Sequence, residues 1–189
     1  MPERITELHK GEFYHVYNRG ANRAEIFFER GNFLFFLRRF REKVSIEHVT
    51  TIAYCLMPNH YHLLIRLEST EFSQRMQAFG TSYSKAINKQ MGRSGALFQG
   101  RFQAKHVDEE NHLVHLSRYI HLNPVEAGLV KVPHDWEFSS YREYIGLRAG
   151  TLPATEILLS EFQSREQYRS FVETESEHTV SIDHILFDE

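Results

Sequence analysis

His60 and His62 stand two residues apart in the stretch Cys55-Leu-Met-Pro-Asn-His-Tyr-His-Leu-Leu-Ile-Arg-Leu67. The pattern predicts an apolar strand, a Pro58-Asn59 turn, and a second strand opening on the two histidines. Side chains alternate along a strand, so both imidazoles share one face. Tyr61, Leu63, Ile65 and Leu67 take the opposite face as an apolar row suited to a core. Imidazole is the commonest metal ligand among side chains. The pair therefore offers two donors to a divalent cation, and a third must come from elsewhere. A helix near residues 111–122 supplies candidates. Leu113, Leu116 and Ile120 are spaced three and four apart as a buried stripe. His112, His115, Tyr119 and Asn123 follow on an adjacent stripe. Packed beside the imidazoles, that helix would place the Asn123 amide oxygen on the cation and the Tyr119 hydroxyl next to it. Imidazole plus oxygen donors suit Mg2+ or Mn2+ when a substrate phosphate completes the shell.

Each residue also has a plainer role open to it. Tyr119 can be a packing residue with its hydroxyl at the surface. Asn123 can be a helix terminator, because it precedes Pro124 and such residues are biased away from the helical region. His112 and His115 can be zinc-type ligands in their own right, although no catalytic carboxylate or cysteine is evident beside them.

The elements that must position these groups follow from periodicity. Residues 12–19 form an aromatic first strand closed by Gly20. Asn32 can cap a helix reaching about Glu47, with Phe33, Phe36, Leu37, Phe40 and Val44 inward. In Val49–Met57, Ile52, Tyr54 and Leu56 occupy one face and Ala53, Cys55 and Met57 the other, so a central strand is expected. Thr70 can cap a second helix to about Met91, with Phe72, Met76, Phe79, Tyr83 and Ile87 buried. A glycine-rich linker, Gly92-Arg-Ser-Gly95, should be mobile. Residues 101–107 give a fourth strand. Asp108 or Asn111 can cap the next helix, which Asn123-Pro124 should end. Beyond Gly128 come short helical pieces, such as 165–172, and an acidic tail. This order predicts an α+β fold: an antiparallel sheet with helices packed on it.

Composition sets outer limits. The chain has 189 residues and 41% hydrophobic content, ordinary for one globular core. No apolar run is long enough for a bilayer, and the N-terminus lacks a signal-peptide pattern. The single cysteine, Cys55, has no partner for a disulfide, so a reduced, cytoplasmic setting is expected. Net charge is −3, yet residues 72–107 hold six basic side chains and no acid, while the last 34 residues hold nine acids. Lys85, Lys89, Arg93, Arg101 and Lys105 therefore form a candidate phosphate-binding zone, with a solvated helix face as the bland equivalent.

A specific likeness emerges from several motifs together. His60-Tyr-His62, the helix Tyr119-Ile-His-Leu-Asn-Pro-Val-Glu-Ala-Gly-Leu-Val130, Phe98-Gln-Gly-Arg-Phe102 and the opening Tyr14-His-Val-Tyr-Asn-Arg-Gly20 resemble the single-tyrosine HUH transposases. These form the insertion-sequence-200-like family, and the REP-associated tyrosine transposases are the branch most resembled. The insertion-sequence members generally carry Gln where Asn123 stands, and the REP-associated branch carries Asn. The likeness covers about residues 13–130, so residues 1–130 are read as the HUH catalytic domain and 131–189 as a C-terminal extension. It implies a ferredoxin-like sheet and Mg2+ or Mn2+ on His60, His62 and Asn123. It also implies Tyr119 as nucleophile, and cleavage and rejoining of single-stranded DNA near hairpin-forming repeats through a 5′-phosphotyrosine. The partner is single-stranded DNA, with no membrane role and a monomer or homodimer as the active form.

A free phenol titrates near ~10, so a base is needed, and His115 or His112 are candidates. Phe98 and Phe102 can stack bases or belong to the core. Two other readings stand beside this one. One is a silent single-stranded DNA or RNA binding module. The other is a small zinc hydrolase built on His60, His62 and His112 or His115.

Overall fold

The computed structural model describes residues 7–174 together with Ile182, His184 and Leu186; the rest of the acidic tail lies outside the described residues. The elements run β1 (Phe13–Arg19), α1 (Arg30–Phe40), α2 (Ile46–His48), β2 (Val49–Met57), β3 (His60–Leu67), α3 (Phe72–Gln90), β4 (Gln103–Val107) and α4 (Glu110–Glu126). Then come the short helices α5 (Tyr141–Tyr144), α6 (Glu156–Leu159) and α7 (Arg165–Glu173). The four strands make one sheet in the order β2-β3-β1-β4, with every neighbouring pair antiparallel. This is the α+β architecture the periodicity predicts, with the β-α-β-β-α-β connectivity of a ferredoxin-like sheet.

Strand alternation divides the interior into two cores. One face carries Tyr14, Val16, Tyr54, Leu56, Tyr61, Leu63, Ile65 and Leu67 against the aromatic stripes of α1 and α3. The other carries Cys55, Met57 and Leu64 against Leu113, Leu116 and Ile120 of α4 and the helices that follow it. The imidazoles of β3 belong to this second face. Burying both faces of one sheet is a three-layer solution, and β2 and β3 are accordingly buried along nearly their whole length.

Several expectations are corrected. β2 is an edge strand, not a central one. It is apolar on both faces because a core covers each of them, and its outer edge is covered in turn by the chain beyond residue 135. Leu56 N–H donates to Phe138 O at 2.9 Å, Ser140 N–H to Tyr54 O at 2.9 Å and Ala154 N–H to Thr51 O at 2.8 Å. The protein thus shields its edge with a later segment. Ile52 lies in the second core with Ala53, because a register shift between Thr51 and Ala53 breaks the alternation. The first helix does not run on as α to residue 47: Arg41–Ser45 widen into a π-turn. Asn32 sits inside α1 instead of capping it, its oxygen accepting from Phe28 N–H and its amide donating to Gln90 at the end of α3. Thr70 does not cap α3; Ser69 Oγ accepts the Glu71 N–H at 3.1 Å. The Gly92–Gly95 linker is bonded back to α3, through Arg93 N–H to Asn88 O at 2.8 Å and Asn88 Nδ2 to Gly95 O at 2.8 Å.

The correction that matters most for the site concerns Pro124. Helix α4 passes through it to Glu126, and Asn123 remains helical. The bias on a residue before proline is small beside the packing here: Asn123 and Pro124 are buried, and Ala127 N–H closes a turn on Asn123 O at 2.9 Å. Tyr119 and Asn123 therefore stay one turn apart on a continuous helix.

Candidate active site

The loop after β1 builds the site's base. Gly20 N–H donates to Asn59 O at 2.8 Å, and Pro58 O accepts from Ile26 and Phe27. A Cβ at Gly20 would stand 1.8 Å from the Ala24 carbonyl oxygen, so only glycine allows this approach. Asn59 Nδ2 donates to Arg23 O at 3.3 Å, which fixes the amide with its oxygen toward His60. His60 Nδ1 lies 2.7 Å from that oxygen and is therefore its donor. A neutral His60 then presents the Nε2 lone pair outward.

What Nε2 meets is Asn123 Oδ1, at 3.2 Å. With the amide oriented that way, two acceptors face each other. A cation between them would turn this opposition into coordination, and a spacing of 3.2 Å is compatible with adjacent ligands of one ion. His62 lies beside them, its ring centroid 4.9 Å from that of His60. It is fully buried, and burial holds it well below its ordinary pKa, with His15 and His60 adding to the effect. A neutral imidazole is the form that binds metals. His62 Nδ1 pairs with His15 Nε2 at 2.9 Å. When the proton is on His62 Nδ1, that contact orients the ring and leaves Nε2 as the donor atom. Tyr119, half-buried, meets His62 edge-on at 5.5 Å between ring centroids and His15 at 6.4 Å.

The structure thus brings together His60, His62, Asn123 and Tyr119 from β3 and α4. It adds His15 from β1, which sequence reasoning missed. The available signal was alternation: His15 and Tyr17 take the face of β1 opposite Tyr14 and Val16, and Tyr17 pairs with His62 in register.

The two histidines named as bases go elsewhere. His112 has both ring nitrogens toward carboxylates, Nδ1 at 3.1 Å from Asp108 and Nε2 at 3.7 Å from Glu109, so neither is turned to the Tyr119 phenol. His115 packs edge-on against Phe171 at 5.4 Å and is held below its ordinary pKa first by burial, then by Arg118. His112 also cannot join His60 in a zinc site, since eleven helical residues separate it from Asn123, roughly 16 Å along the axis.

The basic residues divide by face. Lys85 and Arg101 border a groove of about 610 Å³ between α3 and the segment 95–102, which also exposes Ser73, Gln77 and Phe98. Lys89 is exposed on the same helix, while Arg93 lies over the Phe28 ring. Lys105 is on the histidine face, opposite His15 in register, and donates to the Leu186 carbonyl. Phe102 belongs to the core against Phe72; Phe98 packs half-buried against Tyr61 and Tyr83.

On the far side of α4 is a second buried histidine. His121 Nδ1 meets the Tyr168 hydroxyl at 2.8 Å and Nε2 meets Ser140 Oγ at 2.8 Å. Burial pushes its pKa down to about 3. Ser117 Oγ also reaches Tyr168, so the extension is pinned to the helix that carries Tyr119. Residues beyond 130 thereby pack into the same core as the rest.

The chain has relatives in sequence and in fold. A Haemophilus influenzae protein assigned as a REP-associated tyrosine transposase is 29% identical over 121 residues, which cover 56% of this chain and 69% of the relative. The solved structure of a REP-associated tyrosine transposase bound to a REP hairpin superposes with a TM-score of 0.64 at 20% identity, over 80% of this chain and 93% of that one, a likeness of fold. The family model described as "Transposase IS200 like" matches residues 10–123, from the start of β1 to the asparagine facing His60. By that match across most of the chain, this protein belongs to the IS200-like transposase family.

Proposed function

We propose that this protein is a metal-dependent single-strand DNA endonuclease and strand transferase of the HUH type, in the REP-associated branch, acting beside hairpin-forming repeats in the cytoplasm. The observation that carries the reading is the convergence of His60 Nε2 and Asn123 Oδ1 at 3.2 Å, with Tyr119 on the same helix face against His62. His60, His62 and Asn123 would hold Mg2+ or Mn2+, which supplies polarisation of a phosphodiester and neutralisation of its developing charge. All three donors are neutral, so the ion keeps its charge for the anionic substrate.

Tyr119 Oη attacks phosphorus. The Oη–P bond forms, the P–O3′ bond breaks, and the proton given up by the phenol is passed through solvent to the departing oxygen, which leaves as a 3′-hydroxyl. The strand end stays on the protein as a 5′-phosphotyrosine. The reverse step, by any 3′-hydroxyl placed in line, rejoins strands with no external energy source. His15 holds the His62 ring, and Asn59 holds that of His60, so the donor atoms are oriented before a substrate arrives. Lys85 and Arg101 would contact phosphates along the groove beside α3, which positions DNA without reading its sequence. Lys89 and Arg93 extend that surface, and Lys105 would serve the histidine face. The hairpin preference rests on the relatives alone.

The test is incubation of the full chain with a labelled hairpin oligonucleotide bearing a single-stranded 5′ extension, with and without Mn2+. A covalent protein–DNA band that needs Mn2+ and is absent in Tyr119→Phe is expected. A band of equal strength in Tyr119→Phe would remove the nucleophile assignment. Binding without any adduct would favour a binding module.

A further inference from the structure

Ile182, His184 and Leu186, the described residues beyond 174, lie against the body of the protein. Ile182 is buried in the second core, Leu186 packs against it, and the Leu186 carbonyl accepts from Lys105 on β4. Between these two anchors His184 is delivered to the start of α4. Its ring lies 5.0 Å from that of His112, at 68°. Asp108 Oδ1 is 3.1 Å from His112 Nδ1. One donor atom from each of Asp108, His112 and His184 lies within 4.8 Å of the others. Among the described residues, this is where histidines and a carboxylate gather closely enough to share an ion.

We propose that Asp108, His112 and His184 bind Zn2+ as a second metal site, separate from the one at His60, and that the ion fastens the C-terminal segment to α4 and β4. Two imidazoles and a carboxylate form an N2O donor set suited to zinc, with the fourth position left to water. Closing the three donors, now within 4.8 Å of one another, to a tetrahedral spacing of about 3.3 Å requires movement of up to about 1.5 Å, which the exposed side chains of Asp108 and His184 can supply. His112, buried by its neighbours, is the fixed member.

Charge separates the two sites. His60, His62 and Asn123 bring no formal charge, so a cation there is held with the help of a substrate phosphate. Asp108 brings one negative charge and Glu109 stands by with another, so the tail site binds a dication without DNA. The i, i+4 pairing of Asp108 with His112 explains two of these groups as an ordinary ion pair. It does not explain why the returning segment places a third donor on them.

The experiment uses the full chain stripped with chelator, reloaded with limiting Zn2+ and dialysed in the absence of DNA. One retained equivalent is expected by elemental analysis, and Co2+ in its place should give the intense visible absorption of a four-coordinate site. His184→Ala and Asp108→Asn, both at exposed side chains, should each weaken Zn2+ binding at least about tenfold. His60→Ala with His62→Ala should leave the retained zinc unchanged. Zinc should also slow protease cleavage between residues 174 and 186 in wild type and not in His184→Ala. No retained zinc in wild type, or equal retention in His184→Ala and Asp108→Asn, would overturn the proposal. Loss of zinc only in the His60/His62 double variant would assign the ion to the other site and overturn it as well. Failure of DNA cleavage would not bear on any of these readouts.

Discussion

Helix α4 presents two histidine-bearing environments on its two sides, and they are built to opposite ends. Toward the extension, His121 is fully buried with each ring nitrogen meeting a neutral hydroxyl. Toward β3, His62 is as fully buried, but its company is other imidazoles, an amide oxygen next door and a phenol edge-on. Burial lowers the pKa of both, so depth and basicity do not distinguish them. What does is whether the surrounding donors and acceptors cancel. Around His121 they do, and the group stitches helix to extension. Around His60 and Asn123 they do so only when both ring nitrogens of His60 carry a proton; with a neutral ring two acceptors meet, and the proposed cation site rests on that arrangement.

The strongest way to break this comparison is Tyr119→Phe. On the β3 side it removes the hydroxyl proposed as nucleophile while keeping the ring against His62, so covalent DNA adduct should fall by at least about 10³-fold with little loss of stability. Gel detection of the adduct and a urea midpoint measure the two quantities. A large drop in the midpoint would mean that the phenol belongs to the packing side of the contrast.

On the other side the expectation is reversed. His121→Leu should cost about 2–3 kcal/mol, because the Tyr168 and Ser140 hydroxyls each lose a partner, and the adduct yield at low temperature should survive. The pH dependence follows from the same burial. Unfolded His121 takes up a proton near pH ~6.5, while folded His121 resists until about 3. The unfolded chain thus binds more protons in that window. The stabilisation is present above pH ~6.5 and is lost as pH falls toward 3, at up to about 1.4 kcal/mol per pH unit. His62 acts with the same sign. Urea midpoints against pH should therefore show a slope shallower by nearly one proton in His121→Leu; an unchanged slope would mean that this histidine titrates normally when folded.

How far the contrast was legible beforehand depends on the range of the signal. The sheet, the two-faced strands and the helix stripe follow from periods of two and of three to four, which are local. The pairing of His60 with Asn123 was readable as a spatial bet because Tyr119 and Asn123 share a helix face. His15 was not, since its partner is 47 residues away and only the register of β1 on β3 brings them together. The edge position of β2 was hidden for a related reason: a two-sided apolar strand reads as central, and only the long-range return of residues 136–140 explains its burial. Pro124 misled because a local bias was weighed without the packing that overrides it. His112 and His115 share a stripe with Tyr119, but neighbouring carboxylates and Phe171 decide where their rings turn.

His15→Ala sharpens the site side at a smaller scale. It leaves the three proposed cation donors in place and removes the His15 contact of His62 Nδ1. A second-layer contact of this kind is worth about 10–100-fold in metal affinity. Mn2+ titration of adduct formation should shift to higher concentration by that factor, with the maximal yield less affected. Rescue by His15→Gln, whose amide can again meet Nδ1, would separate orientation from simple packing. A shift of less than twofold would leave the His15 contact without a role in orienting the ring.

The smallest expected effect lies off α4 altogether. Lys85→Ala and Arg101→Ala at the groove beside α3 should weaken single-stranded DNA binding by a similar factor for every sequence tried. Each removes about one phosphate contact, so the slope of log affinity against log salt should flatten by roughly 0.7 per variant. Glu12→Gln, outside the groove lining and paired with His106, serves as the matched surface control. If the two groove variants keep the wild-type slope, the strand runs along the histidine face, where Lys105 stands opposite His15, and does not cross to the α3 side of the sheet.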